Sequence, residues 1–101
     1  MKRMVQYKVK ADRVAENEGY VRAVYEALHQ AKPAGLRYAT FRLADGVSFV
    51  HLVSYESEGG SSALTSLPAF EAFTAGIRER CEAPPVNVEM KEIGSYGFFG
   101  E

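Results

Sequence analysis

The sequence predicts an α+β fold of ferredoxin-like order, β-α-β-β-α-β, an antiparallel sheet with both helices on one face. Three observations predict it. Apolar and polar residues alternate near each end of the chain, as they do in a half-buried strand. Asp45-Gly46 sits between two apolar-rich runs, the strongest short-range sign of a hairpin. Two stretches with apolar residues at helical spacing lie on either side of that hairpin.

The first strand spans 3–10, with Val5, Tyr7 and Val9 set against Met4, Gln6, Lys8 and Lys10. A helix follows over 13–31, with Asp12 as its expected N-cap and an apolar stripe of Val14, Val21, Val24 and Leu28 supported by Tyr25. Pro33 and Gly35 end it. The hairpin occupies "GLRYATFRLADGVSFVHLVSYES" and "EGGSS" at 58–62 is a loop. A second helix is expected over 67–82, capped by Ser66 with Pro68 in its first turn and a stripe of Leu67, Phe70, Phe73 (or Thr74), Ile77 and Cys81. Pro84-Pro85 stops it, and a last strand covers 86–93 before the aromatic tail "GSYGFFG". One domain accounts for all 101 residues.

A two-residue type I′ turn at Asp45-Gly46 sets the register of the hairpin by counting. Opposed residues share a face. One face holds Leu43, Phe41, Val50, Ala39 and Leu52, a clean apolar patch assigned to the helices. The other holds Arg42, Phe49, Thr40, His51, Tyr38, Val53, Leu36 and Tyr55. That second face is too aromatic to lie bare, because large exposed apolar patches mark interaction surfaces. A second copy of the sheet across a two-fold axis would cover it and enclose a mixed pocket, so a homodimer is expected. Tyr96, Phe98 and Phe99 would pack on that partner or over the pocket, the competing arrangement being a tail folded back on its own subunit.

Composition excludes several classes. A net charge of -1 with no basic run argues against a nucleic-acid partner. No apolar run approaches the roughly 20 residues of a membrane span. The opening "MKRMVQYKVK" has no apolar signal-peptide centre, so a cytoplasmic protein is expected. Cys81 is the one cysteine, and the two histidines fall on different elements, which gives neither a disulfide nor metal-ligand spacing. No phosphate-binding glycine loop and no nucleophile elbow is present.

Carried by "FVHLVSYES", "SLPAFEAF" and "VNVEMKEIGSY", the chain resembles the dimeric α/β-barrel superfamily, most closely its antibiotic biosynthesis monooxygenase-like (ABM) domains. The resemblance implies a dimeric barrel and a cofactor-independent monooxygenase, working without metal or flavin on a small aromatic or quinol-type compound. The chain departs from the ABM pattern at three places: Val53 replaces a strand Glu, Tyr55 replaces a Trp, and Ala69 replaces the His before Phe70. Related haem-degrading enzymes rely on a Trp, and this chain has none.

His51 is the histidine predicted to face the enclosed space between sheet and partner. An imidazole titrates near neutral pH and can take a proton from a phenol, which makes His51 the candidate general base. Arg42 would anchor an oxyanion, Tyr38, Tyr55 and Thr40 would hydrogen-bond, and Phe49 would stack on a flat ring. The structural alternatives are a His51 satisfied by Thr40 or by a partner group, and an Arg42 paired with a carboxylate of the other subunit. Tyr7 is a core residue, Gln6 and Lys8 lie on the opposite face of its strand, His29 complements a helix C-terminus, and Cys81 is a small core residue. A non-catalytic ligand-binding or assembly module on the same fold is the second reading.

Overall fold

The computed structural model describes residues 1–56 and 63–98. The elements are β1 (Lys2–Lys8), α1 (Val14–Ala31), β2 (Leu36–Arg42), β3 (Ser48–Tyr55), α2 (Pro68–Ala75), α3 (Ile77–Arg80) and β4 (Val86–Met90). They build one antiparallel sheet of order β2-β3-β1-β4. The helices pack on one face of it, giving the α+β ferredoxin-like architecture. The core is Tyr7, Val9, Val24, Phe49, Val53, Leu64, Phe73 and Cys81, with Val14, Tyr20, Val21, Leu28 and Phe70 packed against it.

The hairpin register agrees with the count from the sequence, pairing Arg42 with Phe49, Thr40 with His51, Tyr38 with Val53 and Leu36 with Tyr55. The turn that sets it is different. Gly46 N–H donates to Leu43 O at 3.0 Å, and Gly46 alone in the turn has a positive φ, at 79°. Asp45 stays out of the left-handed region because its carboxylate is occupied: it accepts from the Val47 and Ser48 amides at 3.0 and 2.8 Å and from Ser48 Oγ at 2.6 Å. Leu43 and Ser48 still face each other, so the register survives the change of turn.

The assignment of faces is reversed. β1 pairs Val5 with His51 and Tyr7 with Phe49, so the face of Val5 and Tyr7 is also the face of His51. That face lies beneath the helices: Phe49, His51 and Val53 are all buried. The opposite face carries Phe41, Leu43, Val86 and Val88, all exposed, beside Val50 and Leu52. Uniform apolarity suggested the wrong side. The mixed side is the one with hydrogen-bonding partners for its polar groups, and a polar group with a partner can be buried at little cost.

Helix ends also differ from expectation. Asp12 sits in a 3-10 turn, Ala11–Arg13, and α1 starts with Arg13 at its N-cap and no capping side chain. Arg13 instead holds Glu16 in a forked pair, at 2.9 and 2.8 Å, across the first turn. At the other end Lys32 takes a left-handed conformation, φ 47°, and donates its N–H to Leu28 O, after which Pro33 cannot continue the helix. The second helix is split at Gly76, and its N-cap is Leu67, with Pro68 opening the first turn. β1 and β4 are shorter than the alternation suggested, although Val9 still bridges to Cys81. Tyr96 is 99% exposed, and it lines a shallow depression with Leu52, Met90 and Phe98 beside the open sheet face rather than folding onto the core. Phe99 and the 58–62 loop lie outside the described residues.

Candidate functional site

A cavity of about 340 Å³ opens between the sheet and the helices of the chain itself. This size falls at the small end of ligand pockets. Strand alternation supplies its floor, because Val5, Tyr38, His51, Val53 and Tyr55 project from one face of β1, β2 and β3. Phe70, Phe73 and Ile77 on α2 and α3, with Leu64, form the roof. Arg3 and Asn87 add a polar edge, with Arg3 Nη1 donating to Asn87 Oδ1 at 3.3 Å. The described lining residues include no carboxylate.

His51 is the polar centre. It is 3% exposed, and both ring nitrogens are engaged. Nε2 lies 2.7 Å from Tyr7 Oη, while Nδ1 lies 2.7 Å from Tyr38 Oη and 3.0 Å from Thr40 Oγ1. Thr40 continues to Tyr25 Oη at 2.7 Å. Beneath, Asn17 Nδ2 donates to Tyr7 Oη at 3.0 Å, and Arg80 Nε donates to Asn17 Oδ1 at 3.1 Å. No buried side-chain polar atom among the described residues lacks a partner. Rings surround the imidazole on several sides, with centroids of Tyr7, Tyr38 and Phe73 between 5.3 and 5.6 Å away.

Burial governs the titration of this cluster. It pushes the His51 pKa down from its ordinary 6.5 to about 4, so the ring is neutral at neutral pH. It pushes the Tyr7 and Tyr38 phenols up, because a buried phenolate would be poorly solvated. Tyr25 moves the same way, through burial opposed by its bond to Thr40. His51 and its tyrosines are therefore neutral donors and acceptors, with the Arg80 guanidinium at the far end of the network.

The candidates from the sequence divide into two groups. His51, Tyr38 and Tyr55 line the cavity. Thr40 stands behind it, bonded to His51 and Tyr25. Phe49 is buried under the network, stacked on Tyr7 at 5.5 Å between centroids. Arg42 is remote from the cavity: it pairs with Glu18 of α1 at 3.2 Å, and its side chain is 52% exposed. Its carboxylate partner is in its own subunit because the Arg42 face turns toward α1. Tyr7 is in the core as expected, and Lys8 and Gln6 are on the open face, Lys8 paired with Glu82 at 3.5 Å. His29 is exposed in the last turn of α1, and Cys81 is buried.

Sequence reading missed Arg3, Asn17, Arg80 and Asn87. Asn17 and Arg80 are polar residues on otherwise ordinary helical positions, and nothing in their spacing sets them apart from solvated ones. Arg3 and Asn87 alternate with open-face residues on β1 and β4, and were legible as a pair only once Val5 was known to oppose Asn87.

No protein-family model matches this chain, and no curated protein sequence does. Solved structures do. A crystal structure of an antibiotic biosynthesis monooxygenase superposes with a TM-score of 0.77 at 17% identity, covering 92% of this chain and 98% of that one. A protein from Nitrosomonas europaea, provisionally named an antibiotic biosynthesis monooxygenase, gives 0.76 at 17% identity over 91% and 88% of the two chains. One from Bacteroides thetaiotaomicron with the same provisional name gives 0.79 at 15% identity over 92% and 89%. This chain has the α+β ferredoxin-like fold of the antibiotic biosynthesis monooxygenase domain structures.

Proposed function

We propose that the chain is an ABM-like protein whose internal cavity binds a small aromatic compound of the quinol type and acts on it as a cofactor-independent monooxygenase. The observation that carries the reading is the cavity itself: a ring-lined space with two paired polar points, Tyr38 beside His51 and Arg3 beside Asn87, besides the hydroxyls of Tyr55, Thr65 and Thr74. A hydroxylated ring fits such a space with one oxygen at each polar point. In the reaction a quinol is oxidised by four electrons to a hydroxyquinone. One atom of molecular oxygen becomes the new ring hydroxyl and the other leaves as water.

An electron-rich phenolate is the species that reacts with oxygen, so the site must favour deprotonation. In this reading His51 does so from behind Tyr38. A neutral imidazole with a pKa of about 4 is a weak base, and neither of its nitrogens is free for a ligand. Tyr38 offers its hydroxyl proton to the substrate oxygen, and His51 orients that hydroxyl. The proton released by the substrate passes to water.

The chain also forms a homodimer in this proposal, with the open face as the contact. Phe41, Leu43, Val86 and Val88 are exposed together, which an isolated sheet face does not favour. Sedimentation of the wild type and Phe41→Lys tests it. A wild type that is monomeric at micromolar concentration removes the dimer.

The second reading, a ligand-binding module without catalysis, is favoured by one observation. Val53 lines the cavity where the ABM pattern places a carboxylate, so no charged base is at hand. Oxygen uptake and binding, measured together on a panel of quinols and hydroxynaphthoquinones, separate the two. Turnover that falls at least tenfold in Tyr38→Phe and in His51→Ala supports the enzyme. Binding without oxygen uptake leaves the module, and neither binding nor uptake across the panel ends both readings.

A further inference from the structure

Arg80 has a place in the fold that neither reading uses. The residue is 1% exposed, and its guanidinium lies against the rings of Tyr20, at 4.5 Å, and Phe73, at 5.4 Å. It forms no ion pair among the described residues. It donates through Nε to Asn17 Oδ1 and through Nη2 to the Phe73 carbonyl, at 2.8 Å. A buried cation without a carboxylate is costly, and a well-packed apolar side chain would be the simpler solution at such a site. Gly76 makes room for it: a Cβ there would stand 3.1 Å from Arg80 Nη1.

What Arg80 does that an apolar residue cannot is give the hydrogen-bond chain a direction. A guanidinium only donates. The Asn17 amide must therefore present its oxygen to Arg80, which leaves its nitrogen to donate to Tyr7 Oη. Tyr7 accepts that bond and has one proton of its own to give, and the acceptor facing it is His51 Nε2. Nε2 is then the bare nitrogen. In a neutral imidazole the other nitrogen carries the hydrogen, so Nδ1–H donates toward Tyr38 Oη and Thr40 Oγ1.

We infer that Arg80, acting through Asn17 and Tyr7, is a positioning residue that holds His51 in the Nδ1–H tautomer and so leaves the Tyr38 hydroxyl proton to be shared between Thr40 and the cavity rather than spent on His51. Reversing one link would reverse everything beyond it. In Asn17→Asp both oxygens of the new carboxylate accept, one from Arg80 and one from Tyr7. Tyr7 then gives its proton to that carboxylate and accepts from Nε2–H. His51 exchanges tautomer, and its Nδ1 lone pair takes the Tyr38 proton away from the cavity. The consequence for the ligand rests on the cavity being a binding site; the tautomer does not.

The test is nitrogen NMR of the full chain with labelled histidine at about pH 8, where the ring is neutral. His29 is assigned by comparison with His29→Gln. The wild type is expected to show a protonated Nδ1 and a bare Nε2 at His51. In Asn17→Asp, which has nearly the shape of the native residue and gives Arg80 a carboxylate, Nε2 is expected to gain the proton. A wild type protonated at Nε2 overturns the inference without any variant, and so does an Asn17→Asp protein whose Nε2 stays bare. Should the quinol panel bind nowhere, the proposed function fails while the tautomer result still stands or falls alone.

Discussion

Both faces of the sheet carry large apolar side chains, yet they do opposite things. The face of Phe41, Leu43, Val50 and Leu52 sets these apolar side chains beside Gln6, Lys8 and Arg37 and is left open by the helices. The face of Phe49, His51, Tyr38 and Thr40 carries polar groups among its rings and is covered by the helices. Polar content did not keep that face out of the core, because each group meets another: His51 bonds Tyr7, Tyr38 and Thr40, and Asn17 bonds Tyr7 and Arg80. Burial depends on whether polar groups are satisfied, not on how many there are.

Two phenylalanines on opposite faces give the largest contrast. Phe49 is 2% exposed and stacks on Tyr7, so Phe49→Ala is expected to cost about 3–5 kcal/mol in denaturant unfolding. Phe41, on the neighbouring strand and 47% exposed, is expected to cost less than about 1 kcal/mol as Phe41→Ala in the isolated subunit. A Phe41→Ala cost that approaches that of Phe49→Ala, and grows with protein concentration, would mean that the open face is buried in solution by a second copy.

Acid separates the faces too, through the histidine on the covered side. The unfolded chain carries an imidazole titrating at its ordinary 6.5, and the folded chain one at about 4. Between those values the unfolded state binds a proton that the folded state refuses, so stability is complete above the upper value and drains away as pH falls toward the lower one. Between about pH 7.5 and 4.5 the loss from this ring is expected to be about 2–3 kcal/mol. Carboxylates add a loss of the same sign, so the measure is the difference between wild type and His51→Gln in parallel thermal melts. Identical pH slopes in the two proteins would show that His51 is not held neutral by its surroundings.

A smaller change strips one oxygen from the network. Tyr7→Phe keeps the ring that stacks on Phe49 but leaves Asn17 Nδ2 without its acceptor and His51 Nε2 without its donor. The expected cost is about 1–3 kcal/mol, that of buried groups left unpaired. A neutral Tyr7→Phe would mean that the packing of the rings, not their hydrogen bonds, holds the covered face in place.

Much of this was legible in the residues. The order of elements and the hairpin register followed from alternation and from one turn dipeptide, because both depend on neighbours close in sequence. The choice of face did not follow, since it depends on contacts between distant strands. Val5 opposes His51 across β1 and β3, so placing Tyr7 in the core and His51 outside it was already inconsistent, but only the long-range pairing makes that visible. Arg80 and Asn17 are 63 positions apart and lie on different helices, and no local pattern announces a bond between them. The sequence makes Arg42 look like an anchor because local register alone leaves its face free to enclose a pocket with a partner.

Arg42 therefore gives the smallest effect, and an informative one. It shares a face with Thr40 and His51 but lies at the hairpin end, where that face reaches solvent and Glu18 supplies a counter-charge at 3.2 Å. An exposed pair of this kind contributes less than about 1 kcal/mol, and salt weakens it further. Arg42→Ala is expected to leave unfolding within that margin and to leave ligand affinity unchanged, while Arg3→Ala, whose side chain edges the cavity, weakens binding of an anionic aryl oxide severalfold. Isothermal titration of the two variants with one hydroxynaphthoquinone makes the comparison. A loss of binding in Arg42→Ala that equals or exceeds that in Arg3→Ala would move the ligand from the cavity to the far end of the hairpin, and with it the role assigned to the covered face.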